Sequence, residues 1–379
     1  MGAYHQMGHD SRNLLSEAQL GAYAGAVLSP VNYDEEQTRS QVQDHKADSF
    51  EFVFDPQLYY PTSRQGKLPK WSYYPADVDT ADQSSFAWWR ERVRDIAATA
   101  ERIRSDSVCS PSVVPHVTSD EYYHLNARIA DELSTELTGT PIDVLQTLLV
   151  RLQDLSQAEA PARIASIASG SQADGVYLVL VSDVQPRREL HETEDLKGAM
   201  RLIRHLEQSG MRVLVAFAST DIVLWKAAGA SACATGKFFN IRRFTPSRWQ
   251  PAQDGGGQVG YWVEESMMAF LRESDLVRVR SADLLSPSTL SNPYGTEILR
   301  MMDQEPGRPW LGLSWRHYLY WFADFENRLA NGVVRPEQVL ASAEQVWDQL
   351  EAKGILMEKR PNDGSWLRPW RRALIESFR

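Results

Sequence analysis

The chain has 379 residues, of which 43% are hydrophobic and 24% are charged, and these values are ordinary for a globular protein large enough for one big α/β domain or two smaller ones. The formal net charge of -10 argues against a generally basic surface that coats nucleic acid, although a local basic site remains compatible with it. No apolar run reaches the roughly 20 residues that a membrane-spanning helix needs. The polar first fifteen residues lack the apolar segment of a secretory signal. We therefore expect a cytoplasmic protein that does not contact a membrane.

Short apolar runs alternate with amphipathic runs along most of the chain. Apolar runs of strand length are typical of strands buried on both faces, as in parallel sheets covered by helices, and each parallel crossover needs about a dozen residues, which an intervening helix supplies. The first 20 residues are predicted to form a polar lead outside the sheet, and residues 264–273 a helix. The pattern predicts eight strands, at residues 23–28, 50–54, 107–114, 142–150, 176–181, 212–218, 231–235 and 259–263.

Eight strands in βα alternation over about 270 residues match the length and rhythm of a TIM-like (β/α)8 barrel. An open, doubly wound α/β sheet is the alternative, although it usually needs fewer units. After residue 285 the pattern becomes helical and rich in tryptophan. We predict a barrel with its N-terminal lead over residues 1–285. Residues 286–379 are predicted to form a Trp-rich helical extension that packs on the barrel, because the indole rings need a partner surface.

Barrels of this kind carry their sites where the carboxyl ends of the strands meet, so polar residues that follow strands become candidates. Asp55 follows a predicted strand directly, Asp183 follows another after Ser182, and His116 follows a third. Two carboxylates across a pocket can share general acid and base roles, or one can act as a nucleophile in glycosyl transfer. We predict Asp55, Asp183 and His116 as catalytic residues. The alternative for each aspartate is a structural turn after its strand.

A basic run follows the seventh predicted strand. It contains Lys237, Arg242 and Arg243, and Arg248 lies just beyond it. Phosphate sites in such barrels often lie after the seventh and eighth strands, and arginine holds a phosphate or carboxylate with two parallel hydrogen bonds. We predict that this run binds an anion. The alternative is a solvated loop whose charges pair with surface acids.

Asn32 and Asn240 also lie at strand ends, and we predict that they orient the substrate. An aromatic loop over residues 59–82 offers rings that either stack on a flat base or sugar, or pack the loop onto its own domain. The chain has no G-x-x-x-x-G-K-[ST] phosphate loop, no G-x-S-x-G nucleophile elbow and no H-E-x-x-H zinc motif. We therefore expect neither a bound metal nor a cofactor.

These features together predict an enzyme, a hydrolase or a glycosyl or base transferase, that uses carboxylate acid–base or nucleophilic chemistry. Its partner would be an anionic small molecule or nucleic acid, with a phosphate-bearing nucleotide, nucleic-acid end or sugar phosphate as substrate. The alternative is a non-catalytic barrel, a scaffold or recognition subunit that binds a protein partner through the Trp-rich C-terminal region. The sequence alone does not decide the substrate, the reaction or the oligomeric state.

Overall fold

Eight parallel strands close into a barrel in the computed structural model, which describes residues 2–17, 22–45, 49–115, 117–249, 259–358 and 362–378. Each strand pairs with its neighbours in chain order, and the last pairs with the first through the register Gly2↔Ala232 to His5↔Thr235. The predicted (β/α)8 barrel is therefore confirmed. The strands are β1 (Gly2–Gln6), β2 (Gly25–Leu28), β3 (Glu51–Phe54), β4 (Ser107–Cys109), β5 (Asp143–Arg151), β6 (Gly175–Val181), β7 (Arg212–Val215) and β8 (Ala232–Thr235).

Helices surround the barrel and form the C-terminal region. Those between the strands are α1 (Arg12–Leu15), α2 (Glu35–His45), α3 (Thr80–Ser84), α4 (Phe86–Ile103), α5 (Asp120–Glu136), α6 (Ala160–Ala168), α7 (Thr193–Gln208) and α8 (Ile222–Ala227). Those after the barrel strands are α9 (Glu273–Ser281), α10 (Pro287–Leu290), α11 (Pro293–Gln304), α12 (Leu311–Ala330), α13 (Pro336–Ala352) and α14 (Leu367–Ser377). Within the described part of the chain, no helix is long and apolar enough to cross a membrane.

The first strand of the barrel lies in the segment that the sequence predicted to be a polar lead. In β1, His5 and Gln6 are as completely buried as Tyr4, although both are polar. The prediction was wrong because it required an apolar run, whereas barrel closure buries this short strand between β2 and β8 whatever its composition. The other predicted strands, from residues 23–28 to residues 231–235, correspond in order to β2 through β8.

The eighth predicted strand is not part of the barrel. Its apolar residues form β9 (Trp262–Glu264), which pairs antiparallel with β10 (Ala269–Leu271) in a separate two-stranded sheet. A short 3-10 turn and a left-handed residue, Met268 (φ 48°), reverse the chain where a helix was predicted over residues 264–273. The basic run therefore follows β8, the last barrel strand, rather than the seventh.

The C-terminal region packs directly on the barrel. Helix α12 lies against β1 and β8, which is the position of the eighth barrel helix. The Tyr23 hydroxyl donates to the Leu319 carbonyl, and the hydroxyls of Thr235 and Tyr318 are 2.7 Å apart. The indole rings of this region include four that are buried within the chain, those of Trp310, Trp321, Trp366 and Trp370. The predicted boundary at residue 285 and the protein partner for this region both stay predictions.

The amino end of the barrel is closed by a polar cluster around Glu51, the first residue of β3. The hydroxyls of Tyr4 and Ser107 donate to its carboxylate, and the Arg212 guanidinium donates to both carboxylate oxygens at 3.3 Å. The first residues of β3, β4 and β7 thus meet one another. This end of the barrel is filled by paired charges, so the opposite end, where the strands terminate, holds the open cavity.

Candidate functional site: the barrel-mouth cavity

A cavity of about 1100 Å³ lies at the carboxyl ends of the strands, and we call it the barrel-mouth cavity. The segments after β1, β2, β3, β6 and β8 form its walls, together with the start of α12. The described residues that line it include four cationic side chains, Arg187, Lys237, Arg242 and Arg248, and no aspartate or glutamate. In a chain of net charge -10, this cavity is therefore positively charged.

Lys237 occupies the wall of this cavity immediately after β8. The residue is only 3% exposed, and its Nζ lies 4.5 Å from the centre of the Trp315 ring and 4.9 Å from that of Phe238. Among the described residues, no acceptor within hydrogen-bond distance and no carboxylate in ion-pair contact engages this ammonium. Burial lowers the pKa of Lys237, with Arg316 adding to that effect and the charge of Asp10 opposing it. The group is held by aromatic faces and keeps its donors for a ligand.

Arg242 also lines the cavity, but two of its five N–H donors are already used. Its Nε donates to the Gly236 carbonyl at 2.9 Å and its Nη2 to the Lys237 carbonyl at 2.8 Å. The guanidinium lies 3.3 Å from the centre of the Tyr318 ring. Burial lowers the pKa of Arg242 to about 10. These contacts hold the loop that carries Lys237 in place. Arg242 therefore stabilises this loop as well as lining the cavity.

Arg243 lies behind the wall and not on it. Its Nη1 donates to the Arg188 carbonyl, and its Nη2 lies 3.5 Å from Asp221 and 3.7 Å from Glu189. Burial raises the pKa of Glu189 to about 7 and also raises the pKa of Asp221, while Arg243 opposes both changes. This buried group of charges connects the loop after β6 to the loop after β8.

The two asparagines both line the barrel-mouth cavity. The Asn32 side-chain amide donates to the Ser29 hydroxyl at 2.8 Å, which orients its carboxamide at the end of β2. Asn240 is exposed in the loop after β8. The structure thus brings four of the predicted binding residues to one cavity, namely Asn32, Lys237, Asn240 and Arg242. Their roles toward a substrate stay predictions.

Asp55 lies in the barrel below the cavity and is only 1% exposed. Its Oδ2 accepts hydrogen bonds from the hydroxyls of Tyr59 at 2.8 Å and Tyr177 at 3.4 Å, and its Oδ1 accepts from the Gln57 amide at 3.0 Å. Burial raises the pKa of Asp55 to about 6 against the opposing effects of these hydrogen bonds and of the Arg248 charge. A carboxyl group that changes protonation state near neutral pH is suited to acid–base chemistry.

Of the other two predicted catalytic residues, Asp183 is not part of this network. Asp183 is exposed after β6 and is absent from both the cavity lining and the hydrogen-bond partners of Asp55. His116 lies outside the described residues. An acid–base pair of Asp55 with Asp183 therefore stays a prediction.

Sequence reasoning missed Tyr177, Gln6 and Arg187. Tyr177 lies within the apolar run of β6, and its hydroxyl donates to the side-chain Oε1 of Gln6 at 3.1 Å across the barrel. A tyrosine inside an otherwise apolar strand carries no signal of its own unless the inward-facing register is known. Arg187 lies in a loop after β6 and lines the cavity beside Phe239 and Tyr261. Its position depends on how two distant loops meet.

The aromatic loop packs on its own barrel. The rings of Trp71 and Tyr73 lie 5.5 and 5.8 Å from that of Phe54 at the end of β3. The Trp71 indole donates to the Pro30 carbonyl, and the Tyr73 hydroxyl to the Pro56 carbonyl. These buried rings support the loops that border the cavity and leave no free face for stacking at Trp71 and Tyr73. In the described parts of the chain, no three His, Cys, Asp or Glu side chains come together to hold a metal ion.

Comparison with known proteins identifies no family for this chain. No family model matches the chain, and no curated protein matches it. Among solved structures, a GH18 chitinase from Pseudoalteromonas aurantia aligns with a TM-score of 0.38 and 10% identity over 63% of this chain and 95% of the chitinase. N-acetylneuraminate lyase from Mycoplasma synoviae aligns in two crystal forms with TM-scores of 0.36 and 0.38 and 12% identity. These alignments cover 92% of this chain and 97% and 96% of the lyase. At these values the neighbours carry no information about which residues act in this chain.

Proposed function

We propose that the protein is a barrel enzyme that binds an anionic, phosphate-bearing substrate in the barrel-mouth cavity. One observation carries the proposal: the cavity of about 1100 Å³ is lined by four cationic side chains and, among the described residues, by no carboxylate. Such a cavity attracts anions, and a partly enclosed site strengthens each charge interaction relative to water.

Lys237 is the principal anion-binding group of this proposal. The residue is 3% exposed, and its ammonium lies against two rings and has no acceptor in the described part of the chain. Burying a charge without a partner costs free energy, so an anion that pairs with this ammonium recovers part of that cost. Asn32 and Asn240 supply amide donors and acceptors on the same wall, which suits the hydroxyl groups of a sugar or the edge of a base.

The Asp55 carboxyl group is the proposed acid or base. It lies below the cavity in a network with Tyr59 and Tyr177, and its pKa of about 6 allows both protonation states near neutral pH. A hydrolase or a glycosyl transferase needs a group of this kind to protonate a leaving oxygen or to activate a nucleophile.

The experiment is a binding titration and thermal-shift series with phosphate, nucleotides and sugar phosphates on the full chain and on Lys237→Ala. Lys70→Ala is the matched control, because it removes the same charge from an exposed position outside the cavity. A ligand at about 100 times its dissociation constant adds about 2.7 kcal/mol to stability by mass action. We expect stabilisation of the parent and the control and loss of it in Lys237→Ala. Equal stabilisation of all three, or of none, would contradict the proposal.

A further inference from the structure

Four buried hydrogen-bond donors below the floor of the barrel-mouth cavity have no acceptor among the described residues. Each belongs to a buried or half-buried side chain, and each atom is fully enclosed without a partner: Gln6 Nε2, Gln57 Nε2, Arg248 Nη1 and Trp249 Nε1. All four are donors. A buried donor without an acceptor is unfavourable, so this floor is incomplete without an acceptor-bearing group.

These donors belong to one connected region. The side-chain Oε1 of Gln6 accepts a hydrogen bond from the Tyr177 hydroxyl, and the backbone amide of Gln57 donates to Asp55. The Trp249 ring lies 5.5 Å from that of Tyr59. All of them therefore adjoin the Asp55 network.

Arg248 connects this region to the open cavity. It lines the cavity, its guanidinium lies 5.6 Å from the centre of the Trp249 ring, and its charge acts on Asp55. Burial lowers the pKa of Arg248, and electrostatic interactions with Tyr59, Asp55 and Tyr177 oppose that change. The described part of the chain places no carboxylate in ion-pair contact with this guanidinium, which is unusual for an arginine with a fully enclosed nitrogen.

We propose that the floor of the barrel-mouth cavity binds an oxyanion, the phosphoryl or carboxylate group of the substrate, against Arg248, and that this anion enters together with a proton on Asp55. This inference rests on the proposed function. It adds the position at which the anion binds and the protonation state of Asp55 in which it binds. An oxyanion offers only acceptors, which matches a floor that offers only unpartnered donors.

The proton follows from the charges that face Asp55. An ionised Asp55 repels an anion bound at Arg248, whereas a protonated Asp55 does not and can itself donate. The titratable and charged groups that act on Asp55 or are acted on by it are the hydroxyls of Tyr59, Tyr73 and Tyr177, the thiol of Cys109 and the guanidinium of Arg248. Burial holds the pKa values of the tyrosines and the thiol above their ordinary range. Asp55 is therefore the group among them that titrates near neutral pH.

The test is isothermal titration of the full chain with sulfate, whose charge is constant from about pH 5 to about pH 8, in two buffers of different ionisation enthalpy. We expect the affinity to be constant below the Asp55 pKa of about 6 and to fall by up to about tenfold per pH unit above it. The two buffers should report uptake of about one proton per anion above that pH. Acetate in a parallel arm distinguishes a carboxylate site from a site for a tetrahedral anion.

Four variants separate the contributions. Asp55→Asn keeps the shape of the side chain without its titration, so its sulfate affinity should stay high at all pH values. Tyr59→Phe removes a hydrogen bond that lowers the Asp55 pKa, so the fall in affinity should move to higher pH. Arg248→Gln should weaken sulfate binding by about tenfold or more in the acid range. Asp348→Asn, an exposed carboxylate on α13, should behave like the parent.

The outcomes distinguish this inference from the proposed function. Sulfate that binds in a Lys237-dependent manner, with the same affinity at all pH values and no proton uptake, would overturn the inference and leave the proposed function standing. A fall in affinity that persists in Asp55→Asn would overturn it as well. Failure of sulfate and acetate to bind the parent at any pH would contradict both the inference and the proposed function. It would mean that water molecules accept the hydrogen bonds of these donors.

Discussion

The variant Arg242→Ala tests whether this arginine stabilises the loop after β8 or serves chiefly to hold a ligand. The guanidinium is 3% exposed, makes hydrogen bonds of 2.9 and 2.8 Å to two loop carbonyls and lies 3.3 Å from the centre of the Tyr318 ring. Truncation removes all of these contacts and leaves both carbonyls without their donor. We expect Arg242→Ala to lower the free energy of unfolding far more than Lys237→Ala does.

The magnitude follows from the contacts. Each hydrogen bond from a charged donor contributes about 1.5–3 kcal/mol, and a desolvated cation–ring contact about 2 kcal/mol. The cost of burying the charge, seen in the lowered Arg242 pKa of about 10, offsets part of this sum. We expect a net loss of about 2–4 kcal/mol for Arg242→Ala and a change within about 1 kcal/mol for Lys237→Ala, whose ammonium makes only ring contacts with described residues.

Urea unfolding followed by tryptophan fluorescence measures both variants against the parent. Sulfate titration of the same samples then separates stability from binding. An Arg242→Ala protein that is as stable as the parent, to within about 0.5 kcal/mol, but no longer binds sulfate would refute the reasoning, because the arginine would then be a ligand-binding group without a structural role.

Three further predictions concern stability. The folded-state pKa of Asp55 is raised from 3.8 to about 6, so the parent loses stability as the pH rises through this interval. Urea unfolding should show that Asp55→Asn gains up to about 3 kcal/mol in stability relative to the parent between about pH 4 and pH 8. A stability difference that does not change with pH would contradict a pKa raised by burial. A Cβ at Gly198 in α7 would lie 1.9 Å from the Leu155 carbonyl oxygen, so Gly198→Ala should lower the free energy of unfolding by about 2 kcal/mol or more. Gly170→Ala is the control and should change this free energy little, because the nearest atom to its Cβ would be 3.4 Å away. Equal effects of the two variants would show that α7 can shift freely. Truncation after Leu285 removes α12 from β1 and β8, and light scattering should show aggregation; a monodisperse barrel would show that the extension is a separable unit.

The fold was largely predictable because the composition of most of its strands indicates a buried β-strand. The run that forms β6 is buried at every position, and such apolar runs separated by amphipathic segments have few structural explanations. β1 and β9 show the limit of that signal. β1 contains His5 and Gln6 and is buried only because the barrel closes around it, while β9 is apolar but turns back at Met268. When a five-residue strand is buried only because the barrel closes around it, its sequence shows no hydrophobic periodicity that would predict the burial.

The site was predictable in part for a related reason. The end-of-strand rule located Asp55 and Lys237 without any knowledge of their neighbours. It did not separate Arg242 from Arg243, because adjacent residues in a loop diverge according to contacts with α12 and the loop after β6, which are distant in sequence. The network of Asp55 with Tyr177 depends on the register across the barrel, which a single sequence does not encode locally.

The most direct measurement is a crystal structure of the full chain with bound selenate, in which the anomalous signal of selenium locates each anion. We expect a peak in the barrel-mouth cavity within hydrogen-bond distance of Lys237 Nζ or the Arg248 guanidinium. This peak should be stronger in crystals held below the Asp55 pKa of about 6 than in crystals held above it. Selenate bound only at exposed arginines outside the cavity, with none at Lys237 or Arg248, would contradict the claim that the barrel mouth is an anion site.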